Sequence, residues 1–65
     1  MNHSAHLNFY GDTSTHTNKL FSFKVDSEND ARAGLKRFTA QGIRIRAAYF
    51  TIKVNGIIQS SKRIS

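Results

Sequence analysis

Sixty-five residues leave room for one small domain, near the size at which an independently folding core becomes marginal. Leu, Ile, Val and Phe make up 16 of the 65, enough apolar side chains for a folded rather than a disordered chain. The absence of cysteine excludes a disulfide framework, a thiolate zinc site and a thiol nucleophile, while the formal net charge of +6 directs attention to anionic partners.

The longest uninterrupted apolar run, residues 47–50, falls far short of the roughly 20 needed to cross a bilayer, and no charged-then-apolar leader opens the chain. It therefore reads as neither membrane-spanning nor secreted, and its cysteine-free composition suits a reducing, cytoplasmic setting.

The chain is read as a single domain over residues 1–65, with residues 1–4 as a flexible terminus. From residue 5 to 10 the apolar side chains alternate, Ala5, Leu7 and Phe9 on one side and His6, Asn8 and Tyr10 on the other, which predicts a strand. Residues 11–18 are small and polar throughout and read as a loop, long for a tight hairpin. Residues 19–25 alternate again: Phe21, Phe23 and Val25 share one face, Leu20, Ser22 and Lys24 the other, giving the most convincing core strand.

Asp26 and Ser27 announce a helix over about residues 28–41. Ser27 is the cap, Asp30 stands three positions on in capping-box spacing, and Glu28 puts negative charge at the positive end of the helix dipole. Ala31, Leu35 and Phe38 form a narrow apolar stripe for the sheet, while Arg32, Lys36 and Arg37 face elsewhere. Gly34 beside that stripe suggests a close approach to the sheet, and Gly42 is placed to end the helix in a left-handed conformation.

Residues 43–54 are strand-like, but their phase changes. Ile43, Ile45 and Ala47 share one face and Ala48, Phe50, Ile52 and Val54 the other, so a bulge near Ala47 and Ala48 is needed to turn both halves to the core. Asn55-Gly56 is the strongest hairpin signal in the chain and returns a last strand over residues 57–63. The predicted fold is α+β: a small two-layer domain in β-β-α-β-β order, an antiparallel sheet of three to four strands with one helix on one face. A two-residue hairpin places Lys53 opposite Ile58 and Tyr49 opposite Lys62 on the uncovered face.

All four acids, Asp12, Asp26, Glu28 and Asp30, lie in the first thirty residues, whereas residues 31–65 hold eight cations and no acid. A half-domain so biased attracts polyanions. Arg44 and Arg46 project from one face of the third strand, and the terminal hairpin brings Lys62 and Arg63 toward them; Arg32, Lys36 and Arg37 offer a second basic surface on the helix. Tyr49, Ile58 and Tyr10 are the candidate stacking or partner residues of the sheet face.

Three acids are explained by the helix start, His16 with Asp12 and Ser14 or Thr15 share one unsupported polar loop, and no phosphate-loop, dinucleotide, zinc-protease or EF-hand pattern occurs, so no catalytic residue is named. His3, His6 and His16 do not have the spacing of a metal site, His3 and His6 facing opposite sides of a strand, and no cofactor is implied. The element order differs from the β-α-β-β-α-β ferredoxin-like unit, and both a double-stranded-RNA-binding domain and a ribbon-helix-helix dimer require a second helix. The expectation is a non-enzymatic module that contacts nucleic acid, DNA or RNA, mainly through phosphates. The alternative is a protein-interaction module, an inhibitor or adaptor that binds an acidic surface or forms a homodimer across the uncovered face or an edge strand.

Overall fold

The computed structural model describes residues 2–65. Four strands and a helix follow in the order β1 (His3–Asp12), β2 (Lys19–Val25), α1 (Glu28–Ala40), β3 (Arg44–Val54) and β4 (Ile57–Arg63). They form one antiparallel sheet in the spatial order β2-β1-β3-β4. Since β1 pairs antiparallel with both neighbours, β2 and β3 run in the same direction on either side of it, and α1 is the crossover that carries the chain from one to the other.

β1 is longer than its alternating pattern suggests. It takes in His3 and Ser4, expected in a flexible terminus, and Gly11 and Asp12, expected in the loop, because β3 supplies partners for all of them: His3 faces Val54, Ser4 Lys53, Gly11 Ile45 and Asp12 Arg44. The Asn55 amide donates to the Asn2 carbonyl at 2.8 Å and ties down the start of the strand. What remains of the loop is organised locally: the Thr13 amide donates to the His16 carbonyl at 2.8 Å, and Asp12 Oδ1 accepts from the Asn18 amide at 2.7 Å.

Central position makes β1 the core strand. Leu7 and Phe9 are fully buried there, against Ala31 and Leu35 of α1 and Ala48 of β3, with Phe21, Val25, Phe38, Ile43, Ile45, Phe50 and Ile64 packed around them. The Phe9 ring lies 4.8 Å from that of Phe21 and 5.2 Å from that of Phe38. Register explains the single covered face: Ala5, Leu7 and Phe9 stand opposite Val25, Phe23 and Phe21 of β2 and opposite Ile52, Phe50 and Ala48 of β3, and directly opposed residues share a face.

Both ends of α1 are closed by local chemistry. Extended Ser27 accepts from the Asp30 amide at 3.2 Å, which satisfies one free N–H of the first turn. At the other end the Gly42 amide donates to Thr39 and the Ile43 amide to Phe38, a Schellman closure that needs the left-handed backbone of Gly42, φ 97°. Asn55 and Gly56, φ 53° and 80°, make the hairpin turn with positive φ at both central positions.

The phase change in β3 is resolved by a bulge. Tyr10 faces Ala47 but Gly11 faces Ile45, so Arg46 is the extra residue that lets both halves of β3 turn apolar side chains to the helix. A second bulge lies in the last hairpin. Ile52 faces Ser60 while Lys53 faces Ile58, leaving Gln59 unpaired. This shift corrects the expected pairing of Tyr49 with Lys62: Tyr49 stands opposite Arg63, and Lys62 stands opposite Phe50 on the helix side. No helix among the described residues is long and apolar enough to cross a membrane.

Candidate nucleic-acid interface

With α1 on one side, the other face of the sheet is left open. It is built from the even positions of β1 and β2 and from the residues opposite them on β3 and then β4. Cross-strand rows can be read directly from the register. Leu20, Tyr10 and Ala47 form one; Ser22, Asn8, Tyr49 and Arg63 the next; Lys24, His6, Thr51 and Ser61 a third; and Ser4, Lys53 and Ile58 a fourth.

A chain of hydrogen bonds crosses the middle of this face through all four strands. The Ser22 hydroxyl donates to Asn8 Oδ1 at 2.6 Å, Asn8 Nδ2 donates to Thr51 Oγ1 at 3.1 Å, and the Thr51 and Ser61 hydroxyls lie 3.2 Å apart. These groups satisfy one another, so Thr51 is tolerated at 2% exposure beneath its neighbours on this face. Tyr10, Leu20, Tyr49 and Ile58 surround the chain of polar groups and line a shallow depression with them. Leu20 and Ile58 are 55% and 60% exposed, large for aliphatic side chains.

Not all of the expected cations reach this surface. Arg63 does, opposite Tyr49, with its Nε donating to the Ser65 carbonyl at 2.8 Å. Arg44 lies at the end of the face opposite Asp12, and Arg46, the bulged residue, donates from Nε to Asp12 Oδ1 at 2.9 Å and to Oδ2 at 3.1 Å. That hydrogen bond, with a second from the Asn18 amide, holds the Asp12 carboxyl below its ordinary value. Arg46 is accordingly committed to a carboxylate.

Lys62 is separated from the group. The bulge at Gln59 turns it to the helix side, where its Nζ donates to Glu28 Oε1 at 3.2 Å; Arg32 donates from Nε to Glu28 Oε2 at 3.1 Å. The Lys62 and Arg32 contacts together hold the Glu28 carboxyl below its ordinary value. Lys36 and Arg37 are exposed on α1, across the molecule from the open face, so the seven expected cations do not form one surface.

Two cations absent from the expected set belong to it. Lys24 and Lys53 flank the rows of the open face, and neither has a carboxylate partner among the described residues. The alternation of Leu20, Ser22 and Lys24 was the available signal for Lys24, and the placement of Lys53 opposite Ile58 was the signal for Lys53. The face therefore presents Lys24, Lys53 and Arg44 without a salt bridge among the described residues, Arg63 bonded to the Ser65 oxygen and Arg46 bonded to Asp12, around two tyrosines and a row of hydroxyl and amide groups. Comparison of the chain with protein-family models, with curated proteins and with solved structures returns no match.

Proposed function

We propose that this protein is a non-enzymatic, cytoplasmic module that binds single-stranded nucleic acid on the open face of its sheet. The observation that carries the reading is the coincidence, on one uncovered face, of Tyr10 and Tyr49 with Lys24, Lys53, Arg44 and Arg63. Unpaired bases stack on aromatic rings and present edges that hydroxyl and amide groups can meet, while a strand's phosphates require dispersed cations along the track. A broad sheet surface suits a splayed single strand better than a duplex groove, which admits a helix or a two-stranded ribbon. Arg44 and Arg63 carry the phosphates toward one end of the face, Lys24 and Lys53 toward the other, and the hydrogen-bonded chain from Ser22 to Ser61 links the row of Arg63 to the row of Lys24.

The test is fluorescence anisotropy of labelled single-stranded and double-stranded DNA and RNA at two salt concentrations. Four neutralised phosphates predict that log K falls against log salt with a slope of about −3 on a single strand. Replacing Tyr49 with Ala is expected to weaken binding by about 1–3 kcal/mol, and the double substitution Lys53→Ala and Arg63→Ala to weaken it and flatten the slope. Substituting Lys36 and Arg37 on α1 should leave affinity within a factor of about two, since screening limits the reach of charges across the molecule. Unchanged affinity in the Tyr49 and Lys53/Arg63 variants would overturn the assignment.

Exposure of Leu20 and Ile58 on the same face favours a second reading, in which an acidic protein docks there. In that case Leu20→Ala and Ile58→Ala weaken binding of the partner while oligonucleotides bind no better than they do to an unrelated protein of equal charge.

A further inference from the structure

The sheet has two edges, and they are built differently. β4 is interrupted by the bulge at Gln59 and carries Lys62 and Arg63 near its end, both devices that discourage another strand from pairing. β2 also carries lysines, Lys19 and Lys24, near its ends, but it has no bulge. Its seven residues pair with β1 without a register shift, and no hydrogen bond from elsewhere among the described residues reaches the main chain of β2 on its outer side. An outward row of main-chain donors and acceptors is thus left open along a regular strand.

The middle of that strand, Phe21-Ser22-Phe23, reads the same in both directions, and on either side of it reversal sets a lysine against an aliphatic residue, Lys24 against Leu20 and Lys19 against Val25. We propose that the partner of the β2 edge is a second copy of the same edge, paired antiparallel about a two-fold axis through Ser22, to give a continuous eight-stranded sheet. A two-fold interface brings one surface against itself, so its residues must complement their own mirror order. In this register Ser22 meets Ser22, Phe21 meets Phe23, Leu20 meets Lys24 and Lys19 meets Val25. Each pair stays on one face, because the strand has no bulge to change its phase.

Three observations favour this occupant. No lysine stands opposite a lysine, although each copy carries a net charge of +6; the stem of Lys24 instead covers Leu20, which is 55% exposed in the single chain. On the helix side, the stacked rings of Phe9, Phe21, Phe23 and Phe38 end at an edge where Phe23 is still 40% exposed, with 6.4 Å between Phe21 and Phe23 and 5.0 Å between Phe23 and Phe38. Pairing Phe21 with the Phe23 of another copy continues that stack across the seam. Finally, a domain this short gains most from added burial.

The two-fold axis stands perpendicular to the sheet, so both open faces lie on the same side and join into one surface. The dimer does not depend on the nucleic-acid reading. Its salt response also has the opposite sign: screening the mutual repulsion of two +6 copies strengthens the dimer, whereas salt weakens phosphate binding.

The experiment is molar mass by sedimentation equilibrium, from micromolar to millimolar protein, for the unaltered chain and for Ser22→Lys and Ser22→Glu. Ser22 is exposed, so a longer side chain has room, but either substitution removes its bond to Asn8, and circular dichroism and urea unfolding verify that each variant keeps the fold. The unaltered protein is expected to approach twice its 7.3 kDa mass. Each variant alone places like charges face to face at the axis and is expected to raise the dissociation constant about fivefold or more. An equimolar mixture of the two restores the dimer through the opposite pair. A monomer throughout the range, a dimer unaffected by either substitution, or a mixture no more associated than its components would each overturn the proposal.

Discussion

Gly34 and Gly11 are both buried, yet only one of them is required. A Cβ at Gly34 meets Leu7 Cδ2 at 3.4 Å, an ordinary contact, so the helix does not need glycine to approach the sheet. Replacing it with Ala relieves the propensity cost of a helical glycine, and Gly34→Ala is expected to raise stability by up to about 1 kcal/mol in urea unfolding. A Cβ at Gly11 meets Ile43 Cγ2 at 2.9 Å and the Arg44 carbonyl at 3.1 Å, the second a main-chain atom that cannot rotate away. Gly11 sits where the β3 bulge brings the two strands' ends together, and Gly11→Ala is expected to cost about 1–3 kcal/mol in the same measurement. The opposite signs follow from what each Cβ would strike.

Between elements, two carboxylates hold long-range contacts. Glu28 joins the first turn of α1 to β4 through Lys62, and Asp12 joins the end of β1 to the bulged Arg46 of β3. Both carboxyls are lowered in the folded chain relative to the unfolded one. As pH falls, the unfolded chain therefore takes up protons first. The stabilisation from these contacts is complete above the ordinary carboxylate values, declines as pH drops below them, and is gone once pH has passed below the folded values. Denaturant unfolding at about pH 6 and about pH 3 should show this loss, and the double variant Asp12→Asn, Glu28→Gln should lose less between the two conditions. An equal loss in the variant would assign the acid sensitivity to other carboxylates.

At the scale of the whole molecule, charge is divided between two surfaces. Arg32 and Lys62 are held by Glu28 on the helix side, where Lys36 and Arg37 are exposed, while Lys24, Lys53 and Arg44, without a salt bridge among the described residues, lie with Arg63 on the sheet side. Net charge alone would predict salt-sensitive association through any basic patch. The division predicts something narrower: the salt slope of oligonucleotide binding responds to substitutions on the sheet and is insensitive to those on α1, with anisotropy titrations of Lys53→Ala and Lys36→Ala as the direct comparison.

The element order, the Ser27 cap, the Gly42 closure and the Asn55-Gly56 turn could be read from the sequence, because each is set by side-chain periodicity or by local backbone chemistry. Even the bulge in β3 was legible, since the apolar pattern of residues 43–54 reverses its phase. The bulge at Gln59 left no such trace: β4 is exposed along its whole length, so its polar sequence carries no burial pattern to reveal which residues face the helix. That one unpaired residue decided that Lys62 serves Glu28 and Arg63 joins Tyr49. Tertiary pairing also decided the spatial order β2-β1-β3-β4, and with it which strands became edges and which tyrosines, lysines and arginines came to share a face. These are contacts between residues far apart in the chain, and only the folded register brings them together.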